Sequence, residues 1–253
     1  FDVPSSVVPD TTFARIRVSS GGDLDPTGEA ADGEVEDYPV TIVSLFAAEL
    51  VEEIQAGPNW GQVNLLTDVN GTLFFTANDG VHGHELWKSD GTPEGTVMVK
   101  DITPGYDSPP AELTNVNGTL FFTGDDGVHG RELWKSDGTP EGTVMVEDIE
   151  PGPDSSVSGT SDQTLTNVGG TLFFRAWQST TGAELWISDG TPEGTVGFDK
   201  RPGDVGIGPE NLIDVNGTLF FAGNGGTHYE LWKSDGTFDG TVQVKEINPN
   251  PGE

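Results

Sequence analysis

Glu85-Leu-Trp-Lys-Ser-Asp-Gly-Thr-Pro-Glu-Gly-Thr96 is the stretch of sequence from which the architecture of this chain follows. It returns three more times, at 132–143, 184–195 and 230–241. The second copy is unchanged, the third has Ile187 in place of Lys, and the fourth has Phe238-Asp239 in place of Pro-Glu. The Glu-Leu-Trp starts lie 47, 52 and 46 residues apart. A period of this size indicates an array of similar units that bury their apolar faces against one another.

Each repeat carries signals for four antiparallel strands, predicted in the first repeat at 66–69, 72–76, 85–88 and 96–102. Asn70-Gly71 predicts a type I′ turn, which needs positive φ at both residues. In the loop before the last strand, Asp90 is expected to accept backbone N–H groups in an Asx-turn, while Pro93 fixes φ and Gly95 supplies positive φ. Four such strands in about 45 residues are the unit of a β-propeller blade.

The apolar pattern favours blades over a sheet with one solvated face. Leu73-Phe-Phe75 and Leu86-Trp87 place apolar side chains on both faces of the sheet, whereas a half-exposed sheet alternates more cleanly. One tryptophan per repeat is predicted to lie in the core between blades, rather than in a sugar-binding ring: Trp87, Trp134, Trp186 and Trp232. Trp60 and Trp177 fall outside the pattern and are better candidates for surface contacts.

The repeated Glu-Leu-Trp-x-x-Asp-Gly-Thr resembles the ELWxxDGT repeat, which occurs in tandem in large bacterial exported proteins. The resemblance covers about three quarters of the chain and implies an all-β, propeller-like array of four-stranded antiparallel blades. It implies little about biochemical function. We expect the propeller to occupy residues 64–253, with repeats at 64–110, 111–163, 164–209 and 210–253.

Residues 1–44 form a separate module, with strands predicted at 12–18 and 34–42. It resembles the C-terminal part of the GEVED domain in three stretches, Ala14-Arg-Ile-Arg-Val-Ser-Ser20, Pro26-Thr-Gly28 and Asp32-Gly-Glu-Val-Glu-Asp-Tyr38. The resemblance implies a small β-sandwich of bacterial secreted and surface proteins. Because two strands are not stable alone in water, we expect a partial sandwich with open strand edges.

Residues 45–63 form a connector with two competing interpretations. The run 45–55 fits a short helix with a cap and a stop signal. Val51-Glu-Glu-Ile54 also lines up with Val99-Lys-Asp-Ile102, a fourth-strand pattern. We favour a strand over 49–54 because the repeat register outweighs local propensity. The chain then has one fourth strand too many, either 49–54 or 242–247, which indicates a piece cut from a larger ring or a strand that pairs with another molecule.

Composition limits the classes of function. The chain has 253 residues, with 42 acidic and 11 basic side chains and a net charge of -31, which disfavours nucleic acid and anionic lipid as partners. It has no cysteine and no apolar run long enough for membrane insertion. We expect an extracellular or cell-surface protein. Because the sequence starts at Phe1 without an initiator Met, we also expect a piece of a longer chain.

Five acidic residues around one loop are the candidate metal ligands, for Ca²⁺: Asp23, Asp25, Asp32, Glu34 and Asp37. The repeated loop aspartates are predicted to form turns rather than to bind metal: Asp90, Asp137, Asp189 and Asp235. Four histidines precede the third strands, too dispersed to favour a zinc site: His82, His84, His129 and His228. Three Asn-Gly-Thr sequons coincide with predicted turns, so glycosylation is optional: Asn70, Asn117 and Asn216.

No catalytic motif is present, and the predicted function is therefore structural. We expect a non-enzymatic building block of a fibre or an adhesive surface layer, assembled head-to-tail by β-strand addition or completed by the rest of a longer parent chain. The main alternative is a lectin-like propeller that binds a glycan. A propeller glycoside hydrolase is a distant third.

Overall fold

The computed structural model describes strands at 11–17 and 35–41 and the ranges 50–55, 61–105, 107–158, 164–203, 205–226 and 228–247. The chain divides into two compact units, Phe1–Leu50 and Val51–Glu253. All regular structure in the described residues is β-strand, so the predicted all-β class is confirmed. None of these residues belongs to a helix that could cross a membrane.

The first unit contains one antiparallel pair, β1 (Thr11–Arg17) and β2 (Val35–Thr41). Thr11 lies opposite Thr41, and Arg17 lies opposite Val35. Both strands were predicted, and their ends differ from the prediction by one residue.

The second unit contains four four-stranded antiparallel sheets among its described residues, one for each repeat. The first sheet is β3 (Asn64–Val69), β4 (Thr72–Asn78), β5 (His84–Ser89) and β6 (Val97–Lys100). The second is β7 (Ala111–Val116), β8 (Thr119–Asp125), β9 (Arg131–Ser136) and β10 (Val144–Glu147). The third is β11 (Thr166–Val168), β12 (Thr171–Gln178), β13 (Gly182–Ser188) and β14 (Val196–Phe198). The fourth is β15 (Glu210–Val215), β16 (Thr218–Asn224), β17 (Tyr229–Ser234) and β18 (Val242–Lys245).

The first strands of successive sheets lie side by side, as in a propeller: β3 contacts β7, β7 contacts β11 and β11 contacts β15. No comparable contact joins β15 back to β3 within the described strands. The four sheets therefore form an open series with two ends.

The turns between first and second strands have the predicted geometry. Asn70 and Gly71 have φ of 53° and 83°, and the equivalent residues of the other three repeats are also positive at both positions. Asp68 supports this turn by accepting the Gly71 N–H at 2.8 Å. The same turns link neighbouring sheets, because Asn115 donates its Nδ2 to the Asp68 carbonyl at 2.9 Å.

The Ser-Asp-Gly-Thr-Pro-Glu-Gly-Thr loop is a closed hydrogen-bond network. Asp90 Oδ1 accepts the Thr92 N–H at 2.9 Å, which confirms the predicted Asx-turn. The Ser89 and Thr96 hydroxyls lie 2.7 Å apart, and the Thr96 hydroxyl donates to the Thr92 carbonyl at 2.7 Å. Equivalent contacts recur in the other three loops. The conserved geometry of these loops fixes where the third and fourth strands of each sheet meet.

The role predicted for Gly95 is wrong. The positive φ in this loop belongs to Gly91, at 92°, and not to Gly95. Gly95 is needed for space, because a Cβ there would lie 1.9 Å from Asp90 Oδ1. Gly142, Gly194 and Gly240 are confined in the same way by the loop aspartate of their own repeat.

Three apolar clusters lie between successive sheets rather than within them. In one, Trp134, Leu120 and Phe122 of the second sheet pack on a face of the first sheet that carries Val69, Phe74, Leu86, Val99 and Ile102. The second-to-third and third-to-fourth junctions repeat this arrangement with equivalent residues. We call the Val-Phe-Leu-Val-Ile side of each sheet its forward face and the Leu-Phe-Trp side its rear face. Each junction is then a forward face packed on a rear face.

The predicted strand over 49–54 is not found, because the described residues 50–55 form no strand. In all four sheets the fourth strand pairs with the third strand of its own repeat. No Glu-Leu-Trp strand precedes residues 49–54 in the sequence, so this segment lacks the partner that its counterparts have. Ile54 instead lies against Gly61: a Cβ built on this glycine would lie 3.4 Å from the Cβ of Ile54.

Candidate functional site

The forward face of the fourth sheet is exposed. Leu231 is 39% exposed, whereas its counterparts Leu86, Leu133 and Leu185 are 0% exposed. Ile247 is 66% exposed, against 5% for Ile102. Val215, Ile213 and Val244 are exposed on the same sheet. This surface has the composition of a blade-to-blade junction, but none of the sheets described in the second unit covers it.

Polar contacts at the first two inner junctions follow one rule. The Lys88 ammonium donates to the Gly138 carbonyl of the next sheet at 2.8 Å, and Lys135 donates to the Gly190 carbonyl at 2.7 Å. On the fourth sheet the equivalent lysine, Lys233, is exposed. The forward face of the fourth sheet therefore carries an exposed lysine at the position from which Lys88 and Lys135 donate to the next sheet.

The third junction departs from the repeat at Ile187 and at Phe238, and a different lysine makes its contact. Ile187 replaces the lysine, and Lys200 donates instead to a different carbonyl of the next loop, that of Phe238, at 2.8 Å. The Lys200 ammonium also lies 3.8 Å from the centre of the Phe238 ring, a cation–π contact.

The rear face of the first sheet is the other end of the series. Leu73 is 36% exposed, while its equivalents Leu120, Leu172 and Leu219 are 0% exposed. A Cβ built on Gly138 would lie 3.1 Å from the Phe74 ring, so a phenylalanine of the preceding sheet fills that position. The equivalent Gly91 has no atom within 4 Å of such a Cβ. The rear face of the first sheet is thus uncovered around Leu73 and Trp87, whereas Phe75 on the same face is buried.

A cavity of about 660 Å³ lies at the junction between the third and fourth sheets. Arg175 and Trp177 of β12 line it from one side, and Glu210, at the start of β15, lines it from the other. Arg175 Nη1 lies 3.5 Å from Glu210 Oε1. The Tyr229 hydroxyl donates to the same oxygen at 3.2 Å.

Each of the first three sheets buries the glutamate of its Glu-Leu-Trp motif. Burial raises the pKa of Glu85, Glu132 and Glu184 to about 7 in each case. The carboxylate of Glu132 accepts the backbone N–H groups of Ile149 at 3.1 Å and Ser156 at 3.0 Å, which favours the charged form but does not offset burial. Glu85 and Glu132 tie the segment after the fourth strand to the third strand by accepting the N–H groups of Ile102 and Ile149. All three glutamates lie inside the sheets, and sequence reasoning did not identify them as titrating groups.

Three of the four repeated tryptophans lie between sheets. Trp134, Trp186 and Trp232 are buried, and Trp87 on the open rear face is partly buried. Trp177, predicted to contact the surface, is 40% exposed in the cavity described above. Trp60 lies outside the described residues.

The repeated aspartates form turns as predicted. Asp90, Asp137, Asp189 and Asp235 each accept the backbone N–H and the hydroxyl of the threonine two residues later. The side-chain bond from that threonine holds the pKa of each aspartate below its usual value.

The predicted calcium cluster falls largely outside the described residues, which exclude Asp23, Asp25, Asp32 and Glu34. Asp37 lies on β2, opposite Arg15. Elsewhere, in the part of the chain that the structure describes, no three His, Asp, Glu or Cys residues form a group that could hold a metal ion. Calcium binding by the N-terminal loop stays a prediction.

Three of the histidines pair with aspartates. His82 Nδ1 lies 2.6 Å from Asp79, His129 Nδ1 lies 2.7 Å from Asp126, and His84 Nδ1 lies 2.9 Å from Asp107. The hydrogen bonds that His82 and His129 make to these carboxylates raise the pKa of both imidazoles. The first two pairs close the loops before the third strands, and the third ties the start of β5 to the segment after β6.

The sequon asparagines occupy turns, as predicted, and Asn117 Nδ2 also donates to the Gly170 carbonyl of the next sheet at 2.9 Å.

Comparison with known proteins supports both parts of this architecture. Residues 1–41 match the model of the GEVED domain, which confirms the predicted resemblance of the N-terminal module. A search of curated proteins found no match. The ELWxxDGT resemblance of the repeats stays a prediction.

Among solved structures, a puromycin hydrolase aligns with a TM-score of 0.50 and 16% identity over 76% of this chain and 29% of its own. A puromycin-hydrolyzing peptidase of Mycobacterium tuberculosis aligns with a TM-score of 0.44 and 13% identity over 75% of this chain and 30% of its own. An endo-arabinase from Bacteroides thetaiotaomicron has a TM-score of 0.31, with 16% identity over 73% of this chain and 79% of its own. The chain spans about three tenths of the puromycin hydrolase structures. The first likeness shows a β-propeller-like fold and carries no information on activity.

Proposed function

We propose that this protein is a non-enzymatic structural building block of a secreted or cell-surface assembly. The observation that carries the proposal is the exposed forward face of the fourth sheet, whose counterparts are buried in every inner junction. An apolar surface of this kind usually marks an interaction site, because leaving it in water forfeits about 25 cal/mol per Å². The GEVED match at residues 1–41 supports a surface location.

The occupant that fits this face is the rear face of another repeat unit, supplied by a second copy of the chain or by the rest of a longer parent chain. In the case of a second copy, Leu231, Val244 and Ile247 of one copy would pack on Leu73 and Trp87 of the next, as their counterparts do three times within the chain. Lys233 would donate to the Gly91 carbonyl, as Lys88 donates to that of Gly138.

Such a contact uses different surfaces on the two partners and is therefore heterologous. It closes into a ring if the rotation between copies completes a circle, and otherwise extends into a filament. Face packing replaces strand addition as the assembly mode of the repeat unit, because residues 50–55 supply no strand to donate. Strand addition remains our proposal for the β1–β2 pair, in which each described strand has one described neighbour.

The absence of enzymatic activity is part of the proposal. The repeats are nearly identical, which suits a scaffold better than a unique catalytic centre. Turnover of peptide or glycoside substrates by the purified protein, lost on mutation of a described residue, would contradict it.

The test is to substitute Leu231→Asp and, separately, Leu73→Asp, one on each end face. Both side chains are exposed in the single chain, so we expect the monomer to fold, while a buried carboxylate at the contact should prevent association. Light scattering coupled to size-exclusion chromatography and negative-stain electron microscopy would measure assembly. We expect multimers of the unaltered protein and monomers of each variant.

The control is Val128→Asp, an equally drastic change at an exposed valine of the second repeat, away from both end faces. It should assemble like the unaltered protein. An unaltered protein that stays monomeric at high concentration, or end-face variants that assemble normally, would contradict the proposed contact.

A further inference from the structure

The third repeat departs from the others at two positions on one side of β12. Arg175 stands where the other repeats have Thr76, Thr123 and Ala222, and Trp177 stands where they have Asn78, Asp125 and Asn224. Residues two apart on a strand point to the same face of the sheet. Both departures line the cavity between the third and fourth sheets.

A third residue that differs from its counterparts, Glu210, lines the opposite wall of the same cavity. Glu210 occupies the position of Asn64 and Ala111 at the start of the first strand. In each of these three strands the pairing register shifts directly after this position, and the following residue has positive φ, 55° for Asn211. Such a bulge re-aims neighbouring side chains, and it is frequent beside binding sites.

The surrounding backbone holds these groups in place. The Trp177 N–H donates to the Ser156 carbonyl at 2.7 Å, so the strand end is tied to the serine-rich loop 155–158 that forms another wall. The Arg175 and Glu210 side chains are 38% and 47% exposed and thus open to solvent.

The equivalent junction between the first and second sheets provides an internal comparison. It holds a cavity of about 600 Å³, which has Thr76 in place of Arg175 and Ala111 in place of Glu210. The described residues lining it include no Trp, Tyr, Phe, Arg or Lys. The two cavities are similar in size. Of the two, only the cavity between the third and fourth sheets is lined by Arg175, Trp177 and Glu210, which are therefore additions to the basic repeat.

We propose that the cavity of Arg175, Trp177 and Glu210 is a binding site for a neutral saccharide. One face of a pyranose ring presents C–H groups that pack on the flat indole of Trp177, while Arg175 donates to, and Glu210 accepts from, ring hydroxyls. A cavity of about 660 Å³ is large enough for one or two sugar units. This inference is independent of self-assembly.

Charge favours a neutral sugar over an acidic one. Glu210 lies 3.5 Å from Arg175 and offsets its positive charge. The protein also carries a net charge of -31, which repels anions approaching the cavity.

The test uses substitutions that restore the residues of the other repeats, Trp177→Asn and Arg175→Thr. Because Asn78 and Thr76 occupy these positions in the first sheet, both variants should keep the fold, which a thermal melt would verify. A glycan array with neutral and uronic-acid oligosaccharides identifies a probe, and titration calorimetry measures its affinity. We expect binding of neutral members and a loss of at least tenfold in affinity for each variant.

Glu210→Gln provides a second variant of unchanged size, for which we also expect weaker binding. Val128→Asp, whose side chain lies outside the lining of this cavity, is the control and should bind normally. The proposal is overturned if no oligosaccharide binds, if only acidic members bind, or if Trp177→Asn binds like the unaltered protein.

Discussion

At the scale of single residues, Trp134 illustrates how one side chain supports two sheets. It is carried by the second sheet, yet it packs in a cluster with Val69, Leu86 and Val99 of the first. Its ring lies 6.3 Å from that of Phe122 in its own sheet, centre to centre. The tryptophan is therefore shared between adjacent blades.

We predict that Trp134→Ala lowers the free energy of unfolding by about 3–5 kcal/mol, because a large cavity would remain between two sheets. Denaturant unfolding followed by circular dichroism would measure the loss. Trp177→Ala, at a side chain that is 40% exposed, should cost far less. Equal stability losses for the two variants would contradict the assignment of Trp134 to the core.

At the scale of elements, the repeated loop is stabilised by its own side chains. Gly142 is needed because a Cβ there would lie 2.1 Å from Asp137 Oδ1, and Asp137 is fixed by the bonds that it accepts from Thr139. Spatial exclusion and hydrogen bonding therefore act on the same pair of residues.

We predict that Gly142→Ala destabilises the protein by about 1–3 kcal/mol through this clash. Asp137→Ala should destabilise it through the lost hydrogen bonds. In the double variant the clash is absent, so the two costs should sum to more than the measured total. Additive costs in a double-mutant cycle would show that the glycine is required for another reason.

Much of this element could be predicted from sequence, because turn chemistry is local. Asn70-Gly71 and Asp90 needed no knowledge of distant residues. The role of Gly95 was missed because it depends on where the Asp90 carboxylate lies in three dimensions. The strand over 49–54 was wrongly predicted because the pattern Val-x-x-Ile does not show whether a neighbouring strand is available. The cavity could have been suspected from the unusual Arg175 and Trp177, but its opposite wall depends on how two sheets pack.

At the scale of the whole molecule, the three inner junctions repeat one interface and the two ends display its halves. Stability in such an array is close to a sum of blade terms and nearest-neighbour terms. The same repetition multiplies the effect of the buried glutamates, since three sheets each hold a carboxyl group with a pKa of about 7.

We predict that the protein is more stable near pH 5 than near pH 8. The pKa of each buried glutamate rises on folding from about 4.5 to about 7, so the folded state binds more protons in this window and the free energy of unfolding falls as pH increases through it. His82 and His129, whose pKa values are also raised, act in the same direction.

Melting temperatures across this range, at constant ionic strength, would measure the effect. Glu132→Gln resembles the protonated form and should reduce the pH dependence without removing it. Stability that rises from pH 5 to pH 8 would contradict the burial of these groups.

The sameness of the junctions also has a consequence for how the chain finds its native order. A rear face built from Leu, Phe and Trp fits the forward face of any blade, so apolar packing alone does not tell the second repeat from the third. The correct order of the blades therefore depends on chain connectivity and on contacts found at one junction, such as the pairing of Lys200 with Phe238. When many chains refold together, blades of different molecules compete for the same faces, and misassembly becomes a matter of concentration. The yield of correctly refolded protein should therefore fall as protein concentration rises. During synthesis the repeats emerge one at a time, which would favour packing between neighbouring blades of the same chain.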